Sequence, residues 1–167
     1  MQNRLVILGG GESGIGVAML AQRKGFNVFL SERNNLTEDR RNILLDYNIN
    51  FEEEGHTIEN ILTANLIVKS PGISDEQNII KVLKSKNIQI ISDIEFAYKY
   101  TNAKIIAVTG TNGKTTTTLL IGHILEESGL DILIAGNIGI SFARSIIKRD
   151  YDYVVLEISS FQLDYIN

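Results

Sequence analysis

The sequence predicts an α/β protein in which helices cover both faces of parallel sheets. Short apolar runs rich in β-branched residues alternate with longer segments of helical periodicity, and several of these runs are apolar on both faces. Two of them open directly onto a glycine-rich turn and a helix. Strands that are apolar on both faces are typical of a parallel sheet that helices bury on each side. The repeated strand–helix order therefore predicts a doubly wound fold.

Each predicted element follows from its local pattern. Apolar runs bounded by turn-forming residues predict strands over 4–8, 27–31, 65–69, 88–92, 104–109, 131–135 and 153–158. Apolar residues that recur with a helical period predict helices over 14–24, 37–47, 75–86, 114–128 and 140–148. Gly25 and Gly129 are placed to end the first and fourth of these helices.

Composition narrows the class of protein. With 44% hydrophobic and 22% charged residues in 167, the chain belongs with soluble globular proteins, and no apolar stretch is long enough to span a bilayer. A net charge of −4 argues against nucleic acid as a partner. The N-terminal apolar run is quickly broken by three glycines, so we expect no signal peptide and a cytoplasmic location. Without cysteine, and with two separated histidines, any metal should be a hard ion held by oxygens.

Two glycine-rich turns roughly 100 residues apart predict two domains, because one α/β sheet usually has one main site. We place the boundary so that 1–101 form the first domain and 102–167 the second. The second segment is short for a domain of this kind, so we expect it to be truncated.

The first glycine turn is Gly9-Gly10-Gly11-Glu12-Ser13-Gly14, which fits the G-x-G-x-x-G spacing. These glycines allow a tight turn, close approach of a phosphate and packing of the helix on the strand, and the helix start offers free N–H groups. Glu32 ends the second strand, where a carboxylate can accept hydrogen bonds from ribose hydroxyls. The same glycines could merely pack strand against helix.

Ser70-Pro71-Gly72 follows the apolar strand over 65–69 and contains the one proline of the chain. It lies where strand ends line the crevice of an open α/β sheet, so its backbone could contact a ligand. An ordinary strand-ending turn explains these residues equally well.

The second glycine turn gives the strongest functional pattern. A buried strand leads into Gly110-Thr111-Asn112-Gly113, and Lys114, Thr115 and Thr116 open a helix. The loop N–H groups can bind the phosphates of a nucleoside triphosphate, Lys114 can neutralise their charge and the Thr115 hydroxyl can bind Mg²⁺. The turn departs from the strict G-x-x-x-x-G-K-[ST] string, because Val108 stands at the first glycine position.

Glu157 ends the apolar strand over 153–158. A carboxylate at this place beside a phosphate loop can bind Mg²⁺, so Thr115 and Glu157 are the candidate metal ligands. A solvated glutamate is the alternative.

The motifs together resemble the Mur ligases, ATP-dependent enzymes that form amides in peptidoglycan precursor synthesis. The similarity rests on three segments of the second half: the second glycine turn, Gly136-Asn137-Ile138-Gly139 and Glu157-Ile158-Ser159-Ser160-Phe161-Gln162-Leu163. It extends to three segments of the first half: the first glycine turn, Ser70-Pro71-Gly72-Ile73 and Asp93-Ile94-Glu95. It covers the whole chain in order. The pattern is most similar to the members that add D-glutamate to UDP-N-acetylmuramoyl-L-alanine.

The resemblance implies a fold and a set of site residues. The first domain would be Rossmann-like and hold the UDP-sugar, and the second would be part of a P-loop-type ATPase domain. Substrate contacts are implied for Ser13, Gly14, Glu32, Arg33, Ser70, Pro71, Gly72, Asn137, Ser159 and Gln162. ATP and Mg²⁺ are the implied cofactors, with Lys114, Glu157 and Asn137 as the catalytic residues. Glu32 stands where the family often has Asp.

The resemblance also implies carboxylate activation. ATP would phosphorylate the substrate carboxylate to an acyl phosphate, and the amine of D-glutamate would displace phosphate. The family's carbamylated lysine and metal-binding histidine would lie beyond residue 167, so we expect this chain alone to be inactive. We expect a monomer. His56 matches neither family residue, and it follows the acidic run Glu52-Glu53-Glu54, which we interpret as a solvated face.

Two other functions stay open. From the first half alone, an NAD-dependent oxidoreductase would use Glu32 to hold the adenosine ribose, but it leaves the second turn unexplained. A regulatory P-loop nucleotide-binding module explains the second turn, but not the first turn or the segment 157–163.

Overall fold

The computed structural model describes residues 3–166 and contains two parallel sheets. The first sheet has the strand order β3-β2-β1-β4-β5 and the second β6-β8-β7. The strands are β1 (Arg4–Leu8), β2 (Asn27–Ser31), β3 (Asn50–Glu52), β4 (Leu66–Lys69), β5 (Ile90–Ser92), β6 (Lys104–Val108), β7 (Ile132–Gly136) and β8 (Tyr153–Glu157).

Eight helices connect or cover the strands within the described residues. They are α1 (Glu12–Arg23), α2 (Glu38–Asp46), α3 (Ile58–Ile61), α4 (Asn78–Ser85), α5 (Asp93–Tyr98), α6 (Lys114–Glu127), α7 (Phe142–Ser145) and α8 (Ser160–Leu163). None of these helices combines the length and the apolar character that a membrane crossing requires.

The first sheet is buried on both faces, as its apolar strands predict. Leu5 and Ile7 of β1 pack in one cluster, and Val6 and Leu8 pack in the other, because successive side chains of a strand point to opposite faces. The first cluster continues into the second sheet. The residues of that sheet and of α7 that join it include Ala135, Phe142, Val154 and Leu156.

The strands of the first sheet end level with one another. The register pairs Leu8 with Ser31 and Ser31 with Glu52 on one side, and Leu8 with Lys69 and Lys69 with Ser92 on the other. The segments that follow these five residues therefore meet along one edge, which is where open α/β sheets bind ligands.

The α/β fold class predicted from the sequence is confirmed, and the differences lie in short elements. The predicted helix over 140–148 is only the four residues of α7, which begins where the Ser141 side chain accepts a hydrogen bond from the backbone N–H of Arg144. The strand β3 and the helices α3, α5 and α8 were not predicted. In the sequence, all strands of the first sheet precede the proposed domain boundary at 101/102 and all strands of the second sheet follow it. The boundary itself stays a prediction.

A charged cluster ties the end of the described chain to the first sheet. Asp75 lies 3.1 Å from the ammonium of Lys69 and 2.8 Å from that of Lys84, and it accepts a 2.6 Å hydrogen bond from the Tyr165 hydroxyl. Lys69 is 3% exposed. Burial alone would raise the pKa of Asp75, but hydrogen bonds from Lys84, Tyr165 and Lys69 lower it to about 2.

We expect Asp75→Asn to lower the unfolding temperature at neutral pH, because it leaves the buried Lys69 cation without its carboxylate. The pKa of Asp75 falls on folding, so its stabilising effect is complete above the unfolded value near 3.8 and is lost as the pH falls towards about 2. Thermal melts of the wild type and of Asp75→Asn from pH 7 to pH 2 should show a difference in unfolding temperature that disappears below about pH 4. A difference that does not depend on pH would contradict this assignment.

Candidate functional site

A cavity of about 500 Å³ lies at the carboxyl edge of the first sheet and reaches the second sheet. Its lining combines the first glycine turn, the ends of β2 and β4, and the loop after β7. The lining residues are Gly9, Gly11, Glu12, Ser13, Glu32, Arg33, Asn34, His56, Ser70, Pro71, Gly72, Ile73, Gln77, Gly136, Asn137, Gly139 and Ser141. Seven residues with an implied substrate role, from Ser13 to Asn137, therefore share one cavity, whereas Gly14, Ser159 and Gln162 are not part of its lining.

The first glycine turn has the geometry that its spacing predicts. Gly9 has φ +96°, a backbone conformation that residues with a Cβ rarely adopt. A Cβ on Gly14 would lie 1.9 Å from the carbonyl oxygen of Gly9, so only glycine lets α1 pack against the turn. A Cβ on Gly11 would meet nothing within 4 Å, which leaves the backbone of the turn open to a ligand in the cavity.

The start of α1 is free to bind an anion. Gly11 is the N-cap residue of this 12-residue helix and provides no side chain to cap it. Uncapped N–H groups and the helix dipole together favour a phosphate at this position. The Glu12 carboxylate, which could oppose an anion, lies 3.3 Å from the Arg144 guanidinium of the second half of the chain.

Glu32 lies at the end of β2, as predicted, and its carboxylate is fixed by the backbone. One oxygen accepts a hydrogen bond from the Gly10 N–H, and the other accepts a 2.8 Å bond from the Asn34 N–H. Each carboxylate oxygen can accept a second hydrogen bond. Glu32 can therefore still accept hydrogen bonds from hydroxyl groups of a ligand.

Ser70-Pro71-Gly72 packs directly against the first glycine turn. The Ser70 hydroxyl donates a 3.3 Å hydrogen bond to the carbonyl of Gly9, and its backbone N–H donates a 3.0 Å bond to the carbonyl of Leu8. The segment thus ends β4 as an ordinary turn and also forms one wall of the cavity.

The second glycine turn is at the protein surface. Gly113 has φ +74° and is the N-cap of α6, again without a side-chain cap, and Gly110 has φ +147°. The Lys114 ammonium donates a 2.8 Å hydrogen bond to the carbonyl of Gly110. This bond folds the lysine side chain back over the turn. The exposed residues of the predicted phosphate site are Gly110, Thr111, Asn112, Gly113, Thr115 and Thr116.

Glu157 lies beside this turn and has only neutral hydrogen-bond partners among the described side chains. The Thr115 hydroxyl donates a 2.6 Å bond to one carboxylate oxygen, and the Asn137 amide donates a 3.1 Å bond to the other. Glu157 is 3% exposed. A buried carboxylate without a paired cation is costly, and hydroxyl and carboxylate oxygens are the ligands that Mg²⁺ prefers. Thr115 and Glu157 therefore fit a Mg²⁺ site.

Asn137 connects the cavity to the second turn. It lines the cavity, and its amide contacts Glu157, which in turn contacts Thr115 of α6. Its backbone N–H also donates a 2.8 Å bond to the carbonyl of Glu157. The end of the cavity thus lies next to the predicted phosphate and metal site.

Ser159 and Gln162 form a capping box at the start of α8. The Ser159 hydroxyl accepts a hydrogen bond from the Gln162 N–H, and the Gln162 side chain accepts one from the Ser159 N–H. Gln162 is 2% exposed, and its amide donates a 3.0 Å bond to Asp93. Burial raises the pKa of Asp93, although hydrogen bonds from Gln162 and Ser13 act to lower it. Direct substrate contact by Ser159 and Gln162 stays a prediction.

The acidic run Glu52-Glu53-Glu54 at the end of β3 is a solvated face only at Glu54, which is exposed, whereas Glu52 and Glu53 are half-buried and hydrogen-bonded. Glu52 accepts a 2.6 Å hydrogen bond from the Ser31 hydroxyl, and Glu53 forms a 2.6 Å ion pair with Arg41. His56 Nδ1 lies 2.7 Å from the same Ser31 oxygen. Glu52 and Glu53 therefore belong to a hydrogen-bonded edge of the sheet.

Several cavity residues could not be recognised from local patterns. His56, Gln77 and Ser141 lie in three different loops, and no local motif joins them. The helix α5, by contrast, had a local signal, because Ser92 and Glu95 have the spacing of a capping box, and the Ser92 hydroxyl accepts a 3.0 Å bond from the Glu95 N–H.

Two family models match the chain. Residues 4–79 match the MurD N-terminal domain, and residues 108–166 match the Mur ligase middle domain. Among solved structures, a murein peptide ligase from Psychrobacter arcticus has a TM-score of 0.58 at 23% identity and covers 93% of this chain and 37% of its own. A pseudomurein peptide ligase from Methanothermus fervidus has a TM-score of 0.53 at 28% identity, with coverage of 95% and 33%.

Curated relatives match nearly the whole chain. The UDP-N-acetylmuramoylalanine–D-glutamate ligase of Cytophaga hutchinsonii is 51% identical over 98% of this chain, and the ligase of the same name from Christiangramia forsetii is 45% identical over 98%. The chain spans 37% of the length of each of these relatives. Both family models, in the order in which they occur here, and these relatives show that the chain belongs to the Mur ligase family.

Proposed function

We propose that this chain is the substrate-binding and phosphate-binding part of an ATP-dependent ligase that joins D-glutamate to UDP-N-acetylmuramoyl-L-alanine. One observation carries the proposal: Asn137 lines the cavity and contacts Glu157, which contacts Thr115 at the second glycine turn. This chain of contacts would bring the reacting end of a substrate in the cavity next to the phosphates of ATP.

The order of the residues along the cavity supports one direction for the bound substrate, with its diphosphate at α1 and its carboxylate near Asn137. The diphosphate would bind at the uncapped start of α1, near Gly11 and Ser13. The ribose would lie at Glu32, and the sugar and peptide would extend along Ser70-Pro71-Gly72 towards Asn137. The carboxylate of the substrate would then be at the end of the cavity that faces Glu157.

The proposed reaction activates a carboxylate. A carboxylate oxygen attacks the γ-phosphorus of ATP, the bond to the β-phosphate oxygen breaks, and ADP leaves. The amine of D-glutamate then attacks the carbonyl carbon of the acyl phosphate, the carbon–oxygen bond breaks, inorganic phosphate leaves and the amine loses a proton. Lys114, freed from the Gly110 carbonyl, would neutralise charge on the transferred phosphoryl group.

Mg²⁺, when bound, would neutralise charge on the phosphates. On this chain Thr115 and Glu157 would hold the ion, and Asn137 would keep the Glu157 carboxylate in place through its 3.1 Å hydrogen bond. We place these roles in two units, 1–101 for the UDP-substrate and 102–167 for ATP. Because the reaction consumes ATP, we also propose that the enzyme works in the cytoplasm.

Isothermal titration of the 167-residue chain can separate this proposal from an NAD-dependent oxidoreductase. We expect binding heat with UDP and with UDP-N-acetylmuramoyl-L-alanine, and none with NAD. Lys114→Ala is the matched control, because Lys114 is not among the residues that line the cavity, and its UDP affinity should equal that of the wild type. Micromolar NAD binding with no response to UDP would refute the proposal.

A further inference from the structure

The strands of the first sheet end at the same level, and this allows the position of a nucleotide base in the cavity to be inferred. Neighbouring strands are about 4.8 Å apart, and Leu8, Ser31 and Glu52 are paired in register on β1, β2 and β3. A diphosphate at the turn after β1 and a ribose at the end of β2 therefore direct the base towards the loop after β3. His56 is the residue of that loop that lines the cavity.

A neighbouring cavity leaves room for a base at this position. His56 lines it as well, together with Arg33, Ile58 and Gln77. His56 thus lies where the two cavities meet, and a planar ring beyond the ribose would have this imidazole at its edge.

Hydrogen bonds of Ser31 fix the tautomer of His56. The Ser31 hydroxyl has one proton, and the Glu52 carboxylate, 2.6 Å away, can only accept it when ionised. The Ser31 oxygen must then accept a hydrogen bond from His56 Nδ1, which is 2.7 Å away. A neutral imidazole that carries its proton on Nδ1 has a free lone pair on Nε2.

The titration of the surrounding groups is consistent with this arrangement at neutral pH. Burial raises the pKa of Glu52, but hydrogen bonds from Ser31, Thr57 and Asn60 outweigh it and keep the carboxylate ionised. Burial lowers the pKa of His56, and it outweighs the opposing effect of the Glu52 and Glu32 carboxylates, so the ring is neutral. The only hydrogen bond of the His56 ring among the described residues is the one at Nδ1.

We propose that His56 Nε2 accepts a hydrogen bond from the imide N3–H of uracil and makes the site selective for uridine over cytidine nucleotides. This inference rests on the proposed function, because it assigns the base of the same UDP-substrate. Uracil carries a proton on N3 at neutral pH, whereas cytosine has a lone pair there. A cytosine ring in the same position would place that lone pair against the lone pair of Nε2.

Titration of the 167-residue chain with UDP and CDP at pH 7.5 tests the inference. Loss of the hydrogen bond between N3–H of the base and His56 Nε2 predicts roughly tenfold tighter binding of UDP than of CDP by the wild type. His56→Asn retains an amide near the Nδ1 position to contact Ser31 and has no group at the Nε2 position. It should bind UDP roughly tenfold more weakly and lose the preference over CDP. His56→Gln, whose amide oxygen can reach the Nε2 position, should restore part of the preference.

A comparison without any variant keeps the test independent of folding. The diphosphate of 3-methyluridine lacks the imide N–H, and the wild type should bind it at least roughly tenfold more weakly than UDP. Equal binding of UDP and CDP by the wild type, or an unchanged preference in folded His56→Asn, would overturn the role of His56 and leave the proposed function intact. No binding of UDP by the wild type would instead refute the proposed function itself.

Discussion

Assayed alone with ATP, Mg²⁺, D-glutamate and UDP-N-acetylmuramoyl-L-alanine, the 167-residue chain is expected to make no amide product. It spans 37% of the length of its curated relatives, and its second glycine turn is exposed. We expect the amino-acid site implied by the family resemblance to need residues other than these 167. Holding reactants in place can contribute roughly 7 to 11 kcal/mol, so loss of the part that orients D-glutamate should remove measurable turnover.

Phosphate release, with the product confirmed by mass spectrometry, measures this outcome. Binding of UDP by the same preparation is the control that the chain is folded. D-glutamate-dependent turnover by the chain alone would mean that all the catalytic groups lie within residues 1–167 and that the site has been assigned wrongly.

Lys114→Ala is expected to abolish amide formation in a longer protein. A suitable protein is a hybrid in which this chain replaces the matching segment of the Cytophaga hutchinsonii relative, which is 51% identical. Lys114 would contact phosphates whose charge changes during transfer, so its loss should lower kcat by a factor on the order of 10³. The affinity for the UDP-substrate should change less than about twofold, because Lys114 is outside the cavity.

The exposed Lys148 provides the matched control. Lys148→Ala removes one positive charge from the same half of the chain without touching either glycine turn, and it should leave kcat unchanged. Turnover of Lys114→Ala near that of the unmodified hybrid would show that Lys114 does not act on the transferred phosphoryl group.

Most strands and both glycine turns could be predicted from the sequence because their signals are local. Arg4–Leu8 and Asn27–Ser31 have the predicted bounds, since an apolar run ends abruptly at a polar or glycine residue in each case. In contrast, Asn50–Glu52 is a three-residue edge strand with no buried residue, so it gives no apolar run to recognise. Its register with Ser31 depends on the rest of the sheet.

The connections between distant residues could not be predicted in the same way. Gln162 and Asp93 are 69 residues apart, and His56 and Ser31 are 25 apart, so only the folded sheet brings each pair together. The short helices α5 and α8 were missed because their apolar period is too short to detect. The N-cap residue of each helix is a serine whose hydroxyl accepts a hydrogen bond from the backbone N–H of the residue three positions later. This spacing was the available signal.

The most direct test of the proposed carboxylate activation follows the oxygen atoms of the substrate. UDP-N-acetylmuramoyl-L-alanine labelled with ¹⁸O in its free carboxylate is converted by the hybrid protein with ATP and D-glutamate, and the released phosphate is analysed by mass spectrometry. Because the carbon–oxygen bond of the acyl phosphate breaks in the second step, each product formed should send one ¹⁸O atom into inorganic phosphate. D-glutamate-dependent product formation with unlabelled phosphate would contradict the acyl-phosphate route, and with it the role proposed for the contact from the cavity through Asn137 to Glu157.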